Sequence, residues 1–150
     1  MHKLTRKSCG GALIYLGPYL IGFYSKAIKT VATSSAHAET LEISRTGRSL
    51  QALKSMLEEL GFPQGPMDIR TDSATSIQST ARLICSDEVK HYDVRIKEIK
   101  QLRDENVINL VKIDGMNNPA DLMTAQRSKQ RFAHLLSLAQ TPGMQEATTT

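Results

Sequence analysis

The sequence predicts a mixed α/β layer, with a sheet that is partly antiparallel and partly parallel and is flanked by helices. Three observations carry that expectation. Two apolar runs meet at Gly17-Pro18, which reads as an antiparallel pair. Two further runs, MDIRT (67–71) and NVINLVKI (106–113), read as strands. Long stretches between them repeat leucine or isoleucine at helical spacing. A chain of 150 residues can bury about two-thirds of the surface it exposes when unfolded, so neither a metal nor a disulfide is needed to fold it. With 40% hydrophobic and 23% charged residues, the composition excludes a disordered or fibrous chain.

Taken in order, residues 11–16 and 19–25 are rich in Leu, Ile, Tyr and Phe, and their near-continuous apolarity predicts burial on both faces. A long helix is predicted from Ser34 or Ser35, both good caps, to Leu60, because Leu50, Leu53, Leu57 and Leu60 form one stripe. Gly61 ends it. Gly47, inside the helix, is expected to cost about 1 kcal/mol relative to alanine. After the turn-forming FPQGP (62–66), MDIRT alternates as a short strand and runs into Asp72-Ser73, where a helix starts. A second long helix is predicted from Ser86 to about Asp104. Ser86 caps it, Asp87 and Glu88 suit the positive end of its dipole, and Val89, Tyr92, Ile96 and Ile99 form its stripe. Following NVINLVKI, Asn118 is a cap and Pro119 fits the first helical position, so a last helix starts there. TPGMQEATTT reads as a loose tail, giving one domain over 1–140 and a tail over 141–150.

Lys plus Arg exceed Asp plus Glu by 19 to 15, a balance that tolerates a polyanionic partner without demanding one. Cys9 and Cys85 stand far apart, with no CxxC and no metal-type histidine spacing, so neither a zinc site nor a disulfide framework is indicated. A reducing compartment, cytoplasmic or nuclear, is the expectation. The most apolar stretch, GGALIYLGPYLIGFY (10–24), is shorter than the ~20 residues a spanning helix requires and is broken at Gly17-Pro18, so no membrane partner is expected. The basic N-terminal segment has no plausible cleavage site after it and does not read as a secretory signal.

Three carboxylates share a placement. Glu39 lies in the first turns of the long helix, Asp72 at the exit of the middle strand, and Asp121 in the first turn of the last helix. Side chains at element termini can converge from remote parts of a chain. Carboxylates brought together repel unless a hard divalent cation neutralises them, and two such ions can clamp the oxygens of a phosphodiester. The structural reading stands beside this one. An acid in a first helical turn is favoured by the dipole, and Asp72-Ser73 can be a capping pair. Lys90, His91 and Arg95 lie along the second long helix, where they can meet phosphates and 2′-hydroxyls or form a solvated charged face.

These stretches, in this order, resemble the ribonuclease H domain of copia-type LTR retrotransposon polyproteins. The resemblance begins at TRKSCGG (5–11) and YSKAIKTVATSSAHAET (24–40). It continues through LEELG (57–61), TDSATSI (71–77), KHYDVRIKEIK (90–100) and NNPADLMTA (117–125), and reaches RFAHLLSLAQ (131–140). It implies a five-stranded mixed sheet flanked by helices, and magnesium-dependent hydrolysis, with two ions, of the RNA strand of an RNA–DNA hybrid. The implied partners are that hybrid and the reverse transcriptase part of the parent polyprotein. Residue by residue, Glu39, Asp72 and Asp121 match the family's catalytic metal ligands.

The departures matter too. The family carries a further catalytic aspartate on a first strand upstream of Thr-Arg-Lys-Ser, whereas the first carboxylate here is Glu39. That strand and its ligand are therefore expected to be missing and catalysis impaired, since two ions about 4 Å apart need a bridging carboxylate. The alternative is a non-catalytic retrotransposon remnant that binds nucleic acid or protein. His37 replaces an acid, Thr40 an aromatic residue, Ser73 an asparagine and Ala125 a lysine. His37, two positions from Glu39 and on another side of the helix, is expected to face solvent.

Overall fold

The computed structural model describes residues 9–27, 35–81, 90–124 and 127–140, with backbone only at 35, 81 and 90–93. The chain divides into two compact units, one formed by Met1–Val31 with Asp114–Thr150 and the other by Ala32–Ile113.

In the first unit, β1 (Cys9–Leu16) pairs antiparallel with β2 (Tyr19–Ala27), as the two apolar runs predict. Gly17 makes the turn at φ 57°, a left-handed conformation that costs glycine nothing. The register shifts between Ile14 and Tyr15. Two 3-10 turns, Gly115–Asn117 and Pro119–Met123, lead to α4 (Lys129–Gln140). Gly11 lets the second turn approach β1, because a Cβ there would lie 2.3 Å from Met123 Cβ. Two side chains tie the hairpin to the helical part. Ser25 Oγ donates to the Met123 carbonyl at 2.6 Å, and Tyr15 Oη donates to the Ala139 carbonyl at 2.9 Å.

Burial of both hairpin faces, expected from the apolar run, does not hold. Ala12 is buried, but along β2 Tyr19 is 72% and Phe23 69% exposed. Hydrophobic sequence alone does not supply a second layer; a two-stranded ribbon buries only what other elements cover.

The second unit contains α1 (Ser35–Glu59), β3 (Met67–Thr71), α2 (Ala74–Ala81), α3 (Lys90–Asp104) and β4 (Ile108–Lys112). Strands β3 and β4 run parallel, from Met67 opposite Ile108 to Thr71 opposite Lys112. Ile43, Leu50, Leu57, Ile69, Ile99, Leu102, Val107 and Ile108 make the core. The α1 stripe behaves as its spacing predicts up to Leu57, while Leu60 falls outside and is exposed. Gly61, at φ 85°, closes the helix with a Schellman pair, its N–H bonding Glu58 O at 3.0 Å and that of Phe62 bonding Leu57 O at 2.8 Å. Asn106, at φ 54°, ends α3 in the same way, through Asn106 N to Arg103 O and Val107 N to Leu102 O. The strand predicted over 106–113 is accordingly trimmed to Ile108–Lys112.

Gly47 carries more than the propensity cost its sequence suggests. A Cβ there would sit 2.8 Å from Leu102 Cδ1 and 3.6 Å from Ile108 Cδ1, so any added side chain would have to push the end of Leu102 aside.

One other expectation changes. The last helix does not run unbroken from Pro119. Asn118 does cap there, its Oδ1 accepting from Ala120 N at 3.1 Å, but the chain forms a five-residue 3-10 turn and the α-helix proper begins at Lys129. Among the described residues the strands form one antiparallel pair in the first unit and one parallel pair in the second. The predicted start of the second long helix, from Ser86 to Val89, and the tail at 141–150 lie outside the described residues.

Candidate functional site

Glu39 and Asp72 belong to the second unit, Glu39 half-buried in α1 and Asp72 exposed just past the end of β3. The residues next to them in the chain are joined by buried hydroxyls. Ser73 Oγ donates to Ser76 Oγ at 2.8 Å, and Ser76 Oγ lies 3.1 Å from Thr40 Oγ1, which donates to the Ala36 carbonyl at 2.9 Å. With each hydroxyl donating onward once, Ser76 gives its proton to Thr40 and the chain runs one way, from Ser73 to Ala36. Ser73 also caps α2 by accepting from Ser76 N at 3.1 Å, so the capping reading of the Asp72-Ser73 pair holds for Ser73. Thr71 Oγ1 accepts from Ser73 N at 3.2 Å. The Lys112 ammonium donates to the Asp72 carbonyl, and Ile113 N donates to Thr71 O at 3.0 Å, so the end of β3 is held from β4 as well.

Thr40, Ser73 and Ser76 are buried, and their hydroxyls satisfy one another as buried polar groups require. His37 corrects the sequence expectation outright. It is 8% exposed and faces the interior of the unit, because helix spacing fixes angular separation from Glu39 but not which side meets the core.

Asp121 lies in the other unit, in the second 3-10 turn. Its Oδ2 is 3.1 Å from Arg127 Nη2 and 3.4 Å from Arg131 Nη2. Arg131 Nη2 also donates to the Gly115 carbonyl at 2.9 Å, and its Nη1 to the Met116 carbonyl. Asp114 Oδ1 caps the first 3-10 turn by accepting from Met116 N at 3.1 Å, and the His134 ring bonds Asn117 Oδ1 at 3.2 Å. A carboxylate oxygen shared by two guanidinium groups has its charge already compensated, which does not fit a ligand for a hard cation. Among the described residues no group of three or more His, Cys, Asp or Glu side chains could hold a metal ion.

Of the three basic residues, Lys90 and His91 open α3, where only the backbone is described. Arg95 is half-buried and engaged: its Nη1 is 3.1 Å from Glu98 Oε2. Glu98 also receives Ser44 Oγ on Oε2 and stands 3.0 Å from Arg48 Nε through Oε1, so this cluster ties α1 to α3. Burial alone would raise the Glu98 carboxyl, but the hydrogen bonds from Ser44 and Arg95 and the charges of Arg48 and Arg95 outweigh it and hold the group below its ordinary value.

The clusters around Asp121 and Glu98 were not singled out from sequence. Ser44 and Arg48 at i, i+4, with Arg95 and Glu98 at i, i+3, do mark two helix faces. Which faces meet has no local signal. Arg127 and Arg131 reach Asp121 across a break between two helical elements, where helical spacing says nothing.

Comparison with known proteins gives the ancestry. Over 128 residues, 85% of its length, the chain is 32% identical to the Retrovirus-related Pol polyprotein from transposon TNT 1-94 of Nicotiana tabacum. It is 27% identical over 131 residues to that from transposon RE1 and 27% identical over 139 residues to that from transposon RE2, both of Arabidopsis thaliana. These matches take in 87% and 90% of this chain. The chain spans about a tenth of the length of these relatives, 10%, 9% and 10% respectively. It is thus related to a segment of retrotransposon Pol polyproteins. No family model matches it, and no solved structure matches it. Among the described residues no helix is long and apolar enough to cross a membrane.

Proposed function

We propose that this chain is a ribonuclease H-like segment of a copia-type Pol polyprotein, and that its ligand is an RNA–DNA hybrid. The relation to Pol polyproteins supports the ancestry. The observation that carries the assignment within it is the buried hydroxyl chain from Ser73 through Ser76 to Thr40. It fastens the strand end bearing Asp72 to the helix bearing Glu39, the two positions that match the family's acidic motifs. In the family such acids hold magnesium beside the scissile phosphate. Glu39 and Asp72 lie in one unit and are the residues assigned to the phosphodiester in this reading, with Lys90 and His91 at the start of α3 as candidate contacts to the phosphates. The reverse transcriptase part of the same polyprotein is the natural neighbour of such a segment.

A second reading, a hybrid-binding module without catalysis, is favoured by Asp121, whose carboxylate is taken by Arg127 and Arg131. The two readings part in one experiment with a labelled RNA–DNA hybrid. Binding is expected, weakening steeply with salt as phosphate contacts require, with little or no cleavage at any magnesium concentration. Magnesium-dependent cleavage lost in Asp72→Asn would make the chain an active nuclease. Cleavage that survives Asp72→Asn would remove the site assignment, and binding indifferent to salt would remove the nucleic-acid reading.

A further inference from the structure

We propose that Asp121 is the counter-ion of a structural guanidinium clamp, not a metal ligand, and that its task is to fasten the 114–124 segment to α4. The inference is independent of the nuclease ancestry, since it rests on the cluster alone. One carboxylate oxygen, Oδ2, meets both Arg127 and Arg131, at 3.1 and 3.4 Å. Magnesium binds carboxylate oxygens at about 2.0–2.1 Å and keeps near-octahedral geometry, so an ion on this oxygen must displace at least one guanidinium and then stand beside two positive charges.

Arg131 is not free to withdraw. Its remaining donors hold the Gly115 and Met116 carbonyls, both in the first 3-10 turn, and its side chain is only 18% exposed. One residue of α4 therefore grips both 3-10 turns at once, the first by its carbonyls and the second by Asp121. His134 adds a second point of attachment from the next turn of α4, through Asn117. Short 3-10 turns have poor internal hydrogen bonding, so an external clamp is what holds this segment in one conformation. The Met123 carbonyl that accepts from Ser25 Oγ lies at the end of the clamped segment, which extends the effect to the hairpin.

The two roles predict opposite signs. Removing a carboxylate from an empty metal site relieves repulsion and leaves the metal-free protein as stable or more so; removing the counter-ion of a clamp strands two guanidinium groups. Thermal unfolding of the full chain in EDTA and in millimolar magnesium should show Asp121→Asn lowering Tm by about 2–4 °C, Arg131→Met doing likewise, and the double variant falling by less than the two shifts added. Magnesium should move the parent and both variants equally. An unchanged or raised Tm for Asp121→Asn in EDTA, or a magnesium-dependent rise that this variant alone loses, would overturn the proposal. Should the variants not fold, the parent chain decides the matter: substoichiometric Mn2+ should leave the amide resonances of 118–124 sharp, and selective broadening there would overturn it.

Discussion

Glu98 shows how one side chain can link stability to pH. Its carboxylate stands against Arg48 and Arg95 and accepts from Ser44, and these together depress its pKa below the ordinary 4.5 despite burial. A depressed carboxylate stabilises the fold at every pH above its unfolded value, and that contribution is lost as pH falls through 4.5 toward the folded value. Urea denaturation should therefore find Glu98→Gln less stable than the parent at pH 7, with the gap closing as the pH falls below 4.5. A gap independent of pH would show that packing, not charge, is what the substitution removes. Charged pairs in the sequence mark candidates for such clusters, but their closure depends on the contact between α1 and α3, which no local spacing records.

At the scale of elements, α1 meets its neighbours at two small features: Gly47, which faces Leu102 Cδ1, and Thr40, which bonds Ser76 of α2. Thr40→Val keeps the shape, removes the hydroxyl and leaves the Ser76 proton without its acceptor in a buried place. A loss of about 1–2 kcal/mol follows from the desolvation of one unsatisfied group, read as a lower urea midpoint with an unchanged slope. An unaltered midpoint would mean that the hydroxyl chain holds nothing. The course of α1 itself was legible: leucines at helical spacing as far as Leu57 and glycine after it act as their chemistry predicts, while the capping side chains expected at Ser34 or Ser35 lie outside the described residues. The inward turn of His37 was not, because an amphipathic pattern with mixed residues near its start leaves the buried side undecided until the rest of the unit packs against α1.

For the whole molecule, the division into two units separates a continuous segment from a discontinuous one. Residues 32–113 hold a core of their own, from Ile43 to Ile108, with a parallel strand pair covered by helices. The other unit joins an N-terminal hairpin to the segment beyond Asp114. A fragment of residues 32–113 is therefore expected to fold alone, with helical circular dichroism and one cooperative urea transition. The hairpin of residues 9–27 alone should not, since an isolated two-stranded ribbon is marginal in water. A fragment 32–113 that unfolds without cooperativity would show that its core depends on the rest of the chain.

By itself, the sequence determined most of the elements and their places: the hairpin about Gly17-Pro18, α1 closed by Gly61, the two short strands, and the cap at Asn118, though not the 3-10 turn that follows it. Those features follow from backbone conformation, capping and hydrophobic period, which act over a few residues. The tertiary structure alone decided that β2 keeps Tyr19 and Phe23 in solvent, that His37 is interior, and that the Asp121 carboxylate goes to Arg127 and Arg131. A side chain's role at that level is set by whichever charges and surfaces fold against it, and those arrive from parts of the chain that local pattern does not connect.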